Sequence, residues 1–144
     1  MNEQLYETDY YAWIQRQAEL IRQRRLEELD LENLLEELED MEKNSKRALE
    51  SRLEILFMHL LKWQFQPENQ SNSWQVSIIE QRRKLAKLLK ENPSLKPKLP
   101  DIVGGAYEDA RVSASKETNL SISTFPEIMP FTYEQAVNPD FWPQ

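Results

Sequence analysis

The sequence has no cysteine, one histidine and two glycines among its 144 residues. The missing cysteine excludes disulfides, thiol nucleophiles and thiolate metal sites. A single histidine excludes a multi-histidine metal site within one chain. The two glycines are adjacent, at Gly104 and Gly105, so neither a glycine-rich phosphate loop nor a dinucleotide-binding fingerprint is present. These absences exclude the catalytic motifs that are easiest to recognise in a sequence.

Long hydrophobic runs are also missing. The longest uninterrupted run of strongly apolar residues extends from Ile55 to Met58, which is far too short to span a membrane. Acidic residues at Glu3, Glu7 and Asp9 are unlike the start of a secretory signal peptide. We therefore expect a cytoplasmic protein without a membrane partner.

The net charge of −7 is unevenly distributed along the chain. Residues 1–44 carry 13 acidic and 5 basic residues, residues 45–100 carry 5 and 11, and residues 101–144 carry 7 and 2. Such an alternation can complement itself within a fold or between subunits. The basic stretch from Arg82 to Lys98 is a weak candidate for nucleic-acid binding because the rest of the chain is acidic. An acidic protein surface, including that of a second copy, is the better expected partner.

Proline is absent from the first 66 residues, whereas all eight prolines occur later. The early chain is therefore free to form long helices. Apolar periodicity predicts one domain over residues 1–144, with helices at about 9–25, 31–65, 74–91, 99–117 and a short one at 133–138. The predicted fold class is all-α, a helical bundle around one long central helix, with a docked irregular C-terminal tail that carries the short helix.

Local signals place the ends of these helices. Thr8 and Asp30 are predicted N-caps of the first and second helices, and Thr132 with Gln135 has the spacing of a capping box. On the long helix, residues 55–65 are apolar all round and should form the centre of the core. Around Glu42, the apolar stripe is interrupted, which predicts a kink or a polar contact.

The long helix also predicts an assembly. Thirty-five residues at roughly 1.5 Å each give a rod of about 52 Å, longer than a compact domain of this size. We expect the first helix to cover its acidic half and the third helix its apolar half. The overhang favours a homodimer formed by isologous contact of the first two helices.

Four residues are predicted to form a pocket: His59, Trp63, Arg82 and Tyr107. An antiparallel turn would bring the third helix beside the second, and Arg82 projects from the middle of its apolar face. A buried guanidinium needs an anion, which could be Glu54, Glu108, Asp109 or a ligand phosphate or carboxylate. The alternative interpretation is a core histidine and a structural ion pair.

A run of acidic residues on the long helix is a second candidate site. It comprises Glu32, Glu36, Glu37, Glu39 and Asp40. Carboxylates on neighbouring turns suit a hard cation such as Mg²⁺ or Mn²⁺. The spacing is similar to that of all-helical nucleotide pyrophosphohydrolases, but the second carboxylate pair of such sites is missing here. A solvated helix face explains the same run without a metal.

Several short segments, taken in order, carry a resemblance to a known family. They include Thr8–Trp13, Leu29–Leu34, His59–Gln64, Tyr107–Arg111 and Asp140–Pro143. With these segments the chain resembles the bacterial family catalogued as domain of unknown function number 29, over nearly its whole length. The resemblance implies a helical protein of unassigned biochemistry, and it transfers no catalytic or ligand-binding residue.

From these observations we predict an uncharacterised cytoplasmic helical protein that acts as a non-catalytic protein-interaction or adaptor module. It would need no cofactor and would form a homodimer or bind another protein. The alternative is a metal-dependent phosphohydrolase, in which the acidic run holds Mg²⁺ or Mn²⁺ and Arg82 binds phosphate. The sequence favours the non-catalytic class because it contains no Gly-x-Ser-x-Gly segment or other nucleophile motif.

Overall fold

A computed structural model describes the backbone of residues 2–144 and the side chains from residue 5 onward. The predicted all-α fold is confirmed, and the described residues contain no strand. The helices are α1 (Asn2–Thr8), α2 (Tyr10–Arg22), α3 (Leu31–Phe65), α4 (Asn72–Glu91), α5 (Leu99–Thr118) and α6 (Tyr133–Val137). Short 3-10 turns at Leu26–Glu28, Pro67–Asn69, Pro93–Lys98 and Ile122–Thr124 lie in the connections.

The helix predicted over 9–25 is α2, and the sequence analysis missed α1, which precedes it and ends at Thr8. The carboxylate of Asp9 accepts a hydrogen bond from the amide of Ala12 at 3.1 Å, so Asp9 rather than Thr8 is the N-cap of α2. The second helix ends at Arg22, three residues early, and Arg24 adopts a left-handed backbone conformation with φ of 60°.

The long helix α3 is confirmed at its predicted bounds and is continuous through Glu42–Ser45. The Ser45 hydroxyl donates to the carbonyl of Met41, one turn earlier in the same helix, at 3.2 Å. The chain forms two compact units, one running to Ser45 and one over Lys46–Gln144. The first part of α3 therefore belongs to one unit and the remainder to the other.

The first unit is built on α2 and the start of α3, which run antiparallel. The indole nitrogen of Trp13 donates to the Asp30 carboxylate at 2.9 Å, and the Tyr6 hydroxyl donates to Glu37 at 2.8 Å. Asp30 accepts from the side-chain amide of Asn33 at 2.8 Å and sits in the predicted N-cap position of α3. Its own amide donates to Gln17 at 2.8 Å, so a buried polar network joins the two helices.

The second unit contains the main apolar core. Leu56, Phe57, Leu60 and Leu61 are fully buried, which confirms residues 55–65 as its centre. The same core is completed from α4, α5 and the tail by Ile78, Leu85, Ala110, Ala114, Phe125 and Phe131. The tail helix α6 has the predicted capping box, with Thr132 and Gln135 bonded reciprocally.

No helix of residues 2–144 is both long enough and apolar enough to cross a membrane. The cytoplasmic location stays a prediction.

The paired glycines of α5 give a stability prediction. Gly104 and Gly105 are exposed within the helix, and a Cβ added to either would meet nothing within 4 Å. Replacing both with alanine should therefore raise the free energy of unfolding by about 1–2 kcal/mol in total, because alanine loses less backbone entropy in a helix. Urea unfolding measures the change. An unchanged midpoint in the double variant would contradict it.

Candidate functional site

Arg82 lies in the middle of the α4 core face, as predicted, and is only 5% exposed. Its partners are backbone carbonyls of the tail: Nε donates to Ala136 at 2.8 Å, and Nη2 donates to Phe141 at 2.7 Å. Among the described residues Arg82 makes no ion pair with Glu54, Glu108 or Asp109, and its Nη1 is buried without a hydrogen-bond partner. Two carbonyl groups of the tail therefore satisfy two of the three guanidinium nitrogens of Arg82. The ligand anion that the sequence analysis also allowed stays a prediction.

Trp142 connects two of the four predicted pocket residues. The guanidinium carbon of Arg82 lies 5.4 Å from the centroid of its ring, and the ring of Trp63 lies 4.8 Å away at an angle of 47°. A cation over an indole face is an attractive arrangement. Beside the two tryptophans is an open cavity of about 440 Å³, lined by Trp63, Gln64, Pro67, Gln70, Trp142, Pro143 and Gln144.

His59 makes a separate contact with the backbone of its own helix. Its Nδ1 lies 2.9 Å from the carbonyl of Ile55, so this nitrogen carries the proton that is donated. Burial lowers the pKa of His59, and the nearby charge of Lys62 lowers it further. The imidazole is therefore neutral at pH 7, as a structural core histidine would be.

Lys62, which the sequence analysis did not select, is a buried cation next to His59. It forms an ion pair with Glu117 at 2.7 Å and lies 4.7 Å from the centroid of the Trp74 ring. The pair joins α3 to the end of α5. Nothing in the local sequence distinguishes Lys62 from an exposed lysine, because its partner is 55 residues away.

Tyr107 also binds the tail, and its hydroxyl donates to the carbonyl of Pro126. Burial raises the pKa of Tyr107 to about 12, so the phenol keeps its proton at neutral pH. Arg111, one turn further along α5, donates from Nε to the carbonyl of Phe125 at 3.1 Å and pairs with Glu108 at 3.0 Å. We call Arg82, Tyr107 and Arg111 the tail clasp, because each donates to carbonyls of residues 122–141.

The acidic run of α3 lies mostly on an exposed helix surface. Glu32, Glu36, Glu39 and Asp40 are exposed, whereas Glu37 is half-buried beneath Tyr6. The hydrogen bond to Glu37 is the main cause that raises the pKa of Tyr6. Among the side chains described from residue 5 onward, no group of three or more histidine, aspartate or glutamate residues is placed to hold a metal ion.

A row of large apolar side chains on α3 is uncovered in the first unit. The side chains of Leu31, Leu35, Leu38 and Met41 are 67%, 58%, 61% and 63% exposed. The expectation that the first helix covers this part of the long helix is therefore wrong for the leucine row, because α2 packs against the side of α3 that carries Asp30 and Glu37. The stripe predicted from periodicity is buried only from Leu49 onward.

A matching row lies on α2. Tyr10, Ile14 and Ile21 are 46%, 40% and 44% exposed. On each helix, the row lies roughly 90° around the helix axis from the side that contacts the other helix. On both helices this angle is measured in the direction of increasing residue number. Because the two helices are antiparallel, both rows come to the same side of the pair. We call the seven residues of the two rows the apolar face: Tyr10, Ile14, Ile21, Leu31, Leu35, Leu38 and Met41.

Comparison with protein families gives one match, which covers nearly the whole chain. The model of the family Domain of unknown function DUF29 matches residues 5–142. No curated protein and no solved structure matches the chain.

Proposed function

The chain belongs to the family Domain of unknown function DUF29, and from that premise we propose that it is a non-catalytic protein-interaction module that binds its partners through the apolar face. The single observation that carries the proposal is the exposure of Leu31, Leu35, Leu38 and Met41 on one stripe of α3. Contiguous apolar patches of this kind are uncommon on monomeric proteins and mark interaction sites.

The predicted pocket supports the same class of function. Arg82 donates from Nε and Nη2 to tail carbonyls, Tyr107 donates to another, and His59 is bonded to its own helix, whereas Nη1 of Arg82 has no hydrogen-bond partner among the described residues. The hydrogen bonds of these groups stabilise the second unit. The adaptor proposal therefore needs no chemistry from the residues that the sequence analysis selected.

The alternative, a metal-dependent phosphohydrolase, stays a prediction that rests on the acidic run alone. Its carboxylates line one helix, and Arg82, which it requires for phosphate, is bonded to Ala136 and Phe141. No contact among the described residues specifically favours this reading over an interaction module.

The proposal is tested with the purified chain as immobilised bait in a native extract. We expect wild type to retain a protein, either another copy or a different chain, that the double variant Leu35→Asn, Leu38→Asn loses. Each bound protein is then purified and its affinity for wild type is measured by calorimetry. Ile128→Asn is the matched control, since Ile128 is 85% exposed and lies outside the apolar face.

Equal retention by wild type and the double variant would contradict the proposal. A second contradicting result is a specific rise in the melting temperature with Mn²⁺ and a nucleotide that Glu36→Gln abolishes. A ligand at about 100 times its dissociation constant stabilises a protein by about 2.7 kcal/mol, so such a shift amounts to several degrees.

A further inference from the structure

We infer that the partner of the apolar face is a second copy of this chain, paired so that α2 of each copy lies on α3 of the other. The inference rests on the proposed function, because it names the partner that the same face binds. Three properties of the first unit support it: the area of the face, its orientation on an antiparallel helix pair, and the charges on its flanks.

The area is that of a stable interface. The exposed parts of the seven side chains sum to roughly 700 Å², close to the ~800 Å² that each partner contributes to a standard protein interface. The face is also continuous across two helices, since both rows lie on the same side of the antiparallel pair. Two such faces placed together make a four-helix bundle with an apolar centre.

The charged residues beside the apolar face distinguish two possible pairings, α3 on α3 and α2 on α3. Glu32, Glu36 and Glu39 lie on the side of α3 that points away from α2, about 200–250° around the helix from the contact side. The corresponding side of α2 carries Gln15 and Glu19, and Glu19 is paired with Arg22 at 2.9 Å, so this side has no net charge. Placing α3 on α3 of the other copy would bring the two acidic flanks together. Placing α2 on α3 separates them and sets the neutral Arg22–Glu19 pair beside the acidic flank of the other copy.

This second arrangement fits the ordinary geometry of a four-helix bundle, as the α3-on-α3 pairing would. A two-fold axis along the helices places α2 over α3 of the other copy, and every neighbouring pair of helices in the bundle is then antiparallel. That is the up-and-down arrangement of ordinary four-helix bundles. The interface is isologous, so the same seven residues from each copy fill its centre.

The net charge predicts how the assembly responds to salt. Residues 1–44 carry 13 acidic and 5 basic residues, so pairing brings together two segments of charge −8. Added salt screens this repulsion. The dimer should therefore tighten between 50 and 500 mM NaCl, whereas a complex with a basic partner chain should weaken.

Sedimentation equilibrium of the full chain tests the assembly. We expect a dimer at micromolar concentration, stronger at the higher salt concentration. The Leu35→Asn, Leu38→Asn variant should weaken it by about 100-fold or more, because four apolar side chains are lost per dimer. Both side chains are exposed, so the variant should keep the wild-type melting temperature of the monomer, and Ile128→Asn should dimerise like wild type.

A monomer at 100 µM in both salt concentrations would overturn the inference. The proposed function would then stand if the extract still yields a partner that depends on Leu35 and Leu38.

The absence of native cysteine allows the pairing to be tested directly. Chains carrying Ile14→Cys and chains carrying Leu31→Cys are mixed and treated with a short bis-maleimide. We expect cross-links between the two different chains, because Ile14 on α2 and Leu31 on α3 lie at similar heights along the bundle. In α3-on-α3 pairing the two α3 helices are antiparallel and meet near Leu35, at the middle of the row. Cross-links between two Leu35→Cys chains, with none between the Ile14→Cys and Leu31→Cys chains, would therefore overturn the arrangement in favour of α3 on α3.

Discussion

The Arg82→Met variant should unfold with a free energy about 3 kcal/mol lower than that of wild type. Methionine fills a similar volume but cannot donate, so the buried carbonyls of Ala136 and Phe141 lose their partner. A buried acceptor left without a hydrogen bond costs about 1–3 kcal/mol, and bonds from charged donors are at the strong end. The contact of the guanidinium with Trp142 is lost as well.

Arg83→Met is the matched control, because Arg83 is the next residue on α4 and is exposed. Its free energy of unfolding should stay within about 0.5 kcal/mol of wild type. Urea unfolding followed by circular dichroism measures both variants. If the two variants unfold at the same urea concentration, the tail clasp contributes nothing measurable, and Arg82 is free for the ligand role that the sequence analysis gave it.

Asp30→Ala should destabilise the first unit by about 3 kcal/mol. The substitution leaves the buried indole N–H of Trp13 without an acceptor and removes the cap of α3. Amide hydrogen exchange of α2 should become about 100-fold faster, since each 1.4 kcal/mol is a factor of ten. Amides of α5, in the other unit, provide an internal reference.

Asp40→Ala is the control for this experiment, since Asp40 is an exposed acidic residue of the same helix. It removes one negative charge without removing a buried contact, so exchange of the α2 amides should change by less than about twofold. Equal acceleration in Asp30→Ala and Asp40→Ala would show that charge, rather than the buried network, accounts for the effect.

The pH dependence of the same unit follows from Asp30. Burial raises its pKa, but hydrogen bonds from Asn33 and Trp13 lower it by more, so the pKa of the folded state lies below its ordinary value. A carboxyl group with a lowered pKa contributes stability above its unfolded pKa of about 3.9 and loses it as the pH falls through the folded value. Hydrogen exchange of α2 should therefore accelerate below about pH 4 relative to Asp30→Asn, in which residue 30 does not titrate.

The sequence predicted the elements of the fold because their signals are local. Proline-free apolar periodicity placed α3 at 31–65, and the Thr132 and Gln135 spacing placed the capping box of α6. The helix α1 was missed and the N-cap of α2 was placed at Thr8, since Thr8 and Asp9 are both good caps and only the folded chain shows which of them accepts from Ala12. Alternative positions for a helix end, one or two residues apart, differ too little in free energy for a sequence pattern to distinguish them.

By itself the sequence determined helices α2–α6, the apolar centre at residues 55–65 and the acidic character of the first 44 residues, because periodicity and charge are properties of neighbouring residues. Only the tertiary structure decided what Arg82 binds, since Ala136 and Phe141 lie 54 and 59 residues away and contribute carbonyls that every residue possesses. The structure alone also decided that Leu31, Leu35 and Leu38 stay exposed. A periodic stripe shows that a face is apolar, whereas the neighbour that covers it, or its absence, depends on how distant segments pack.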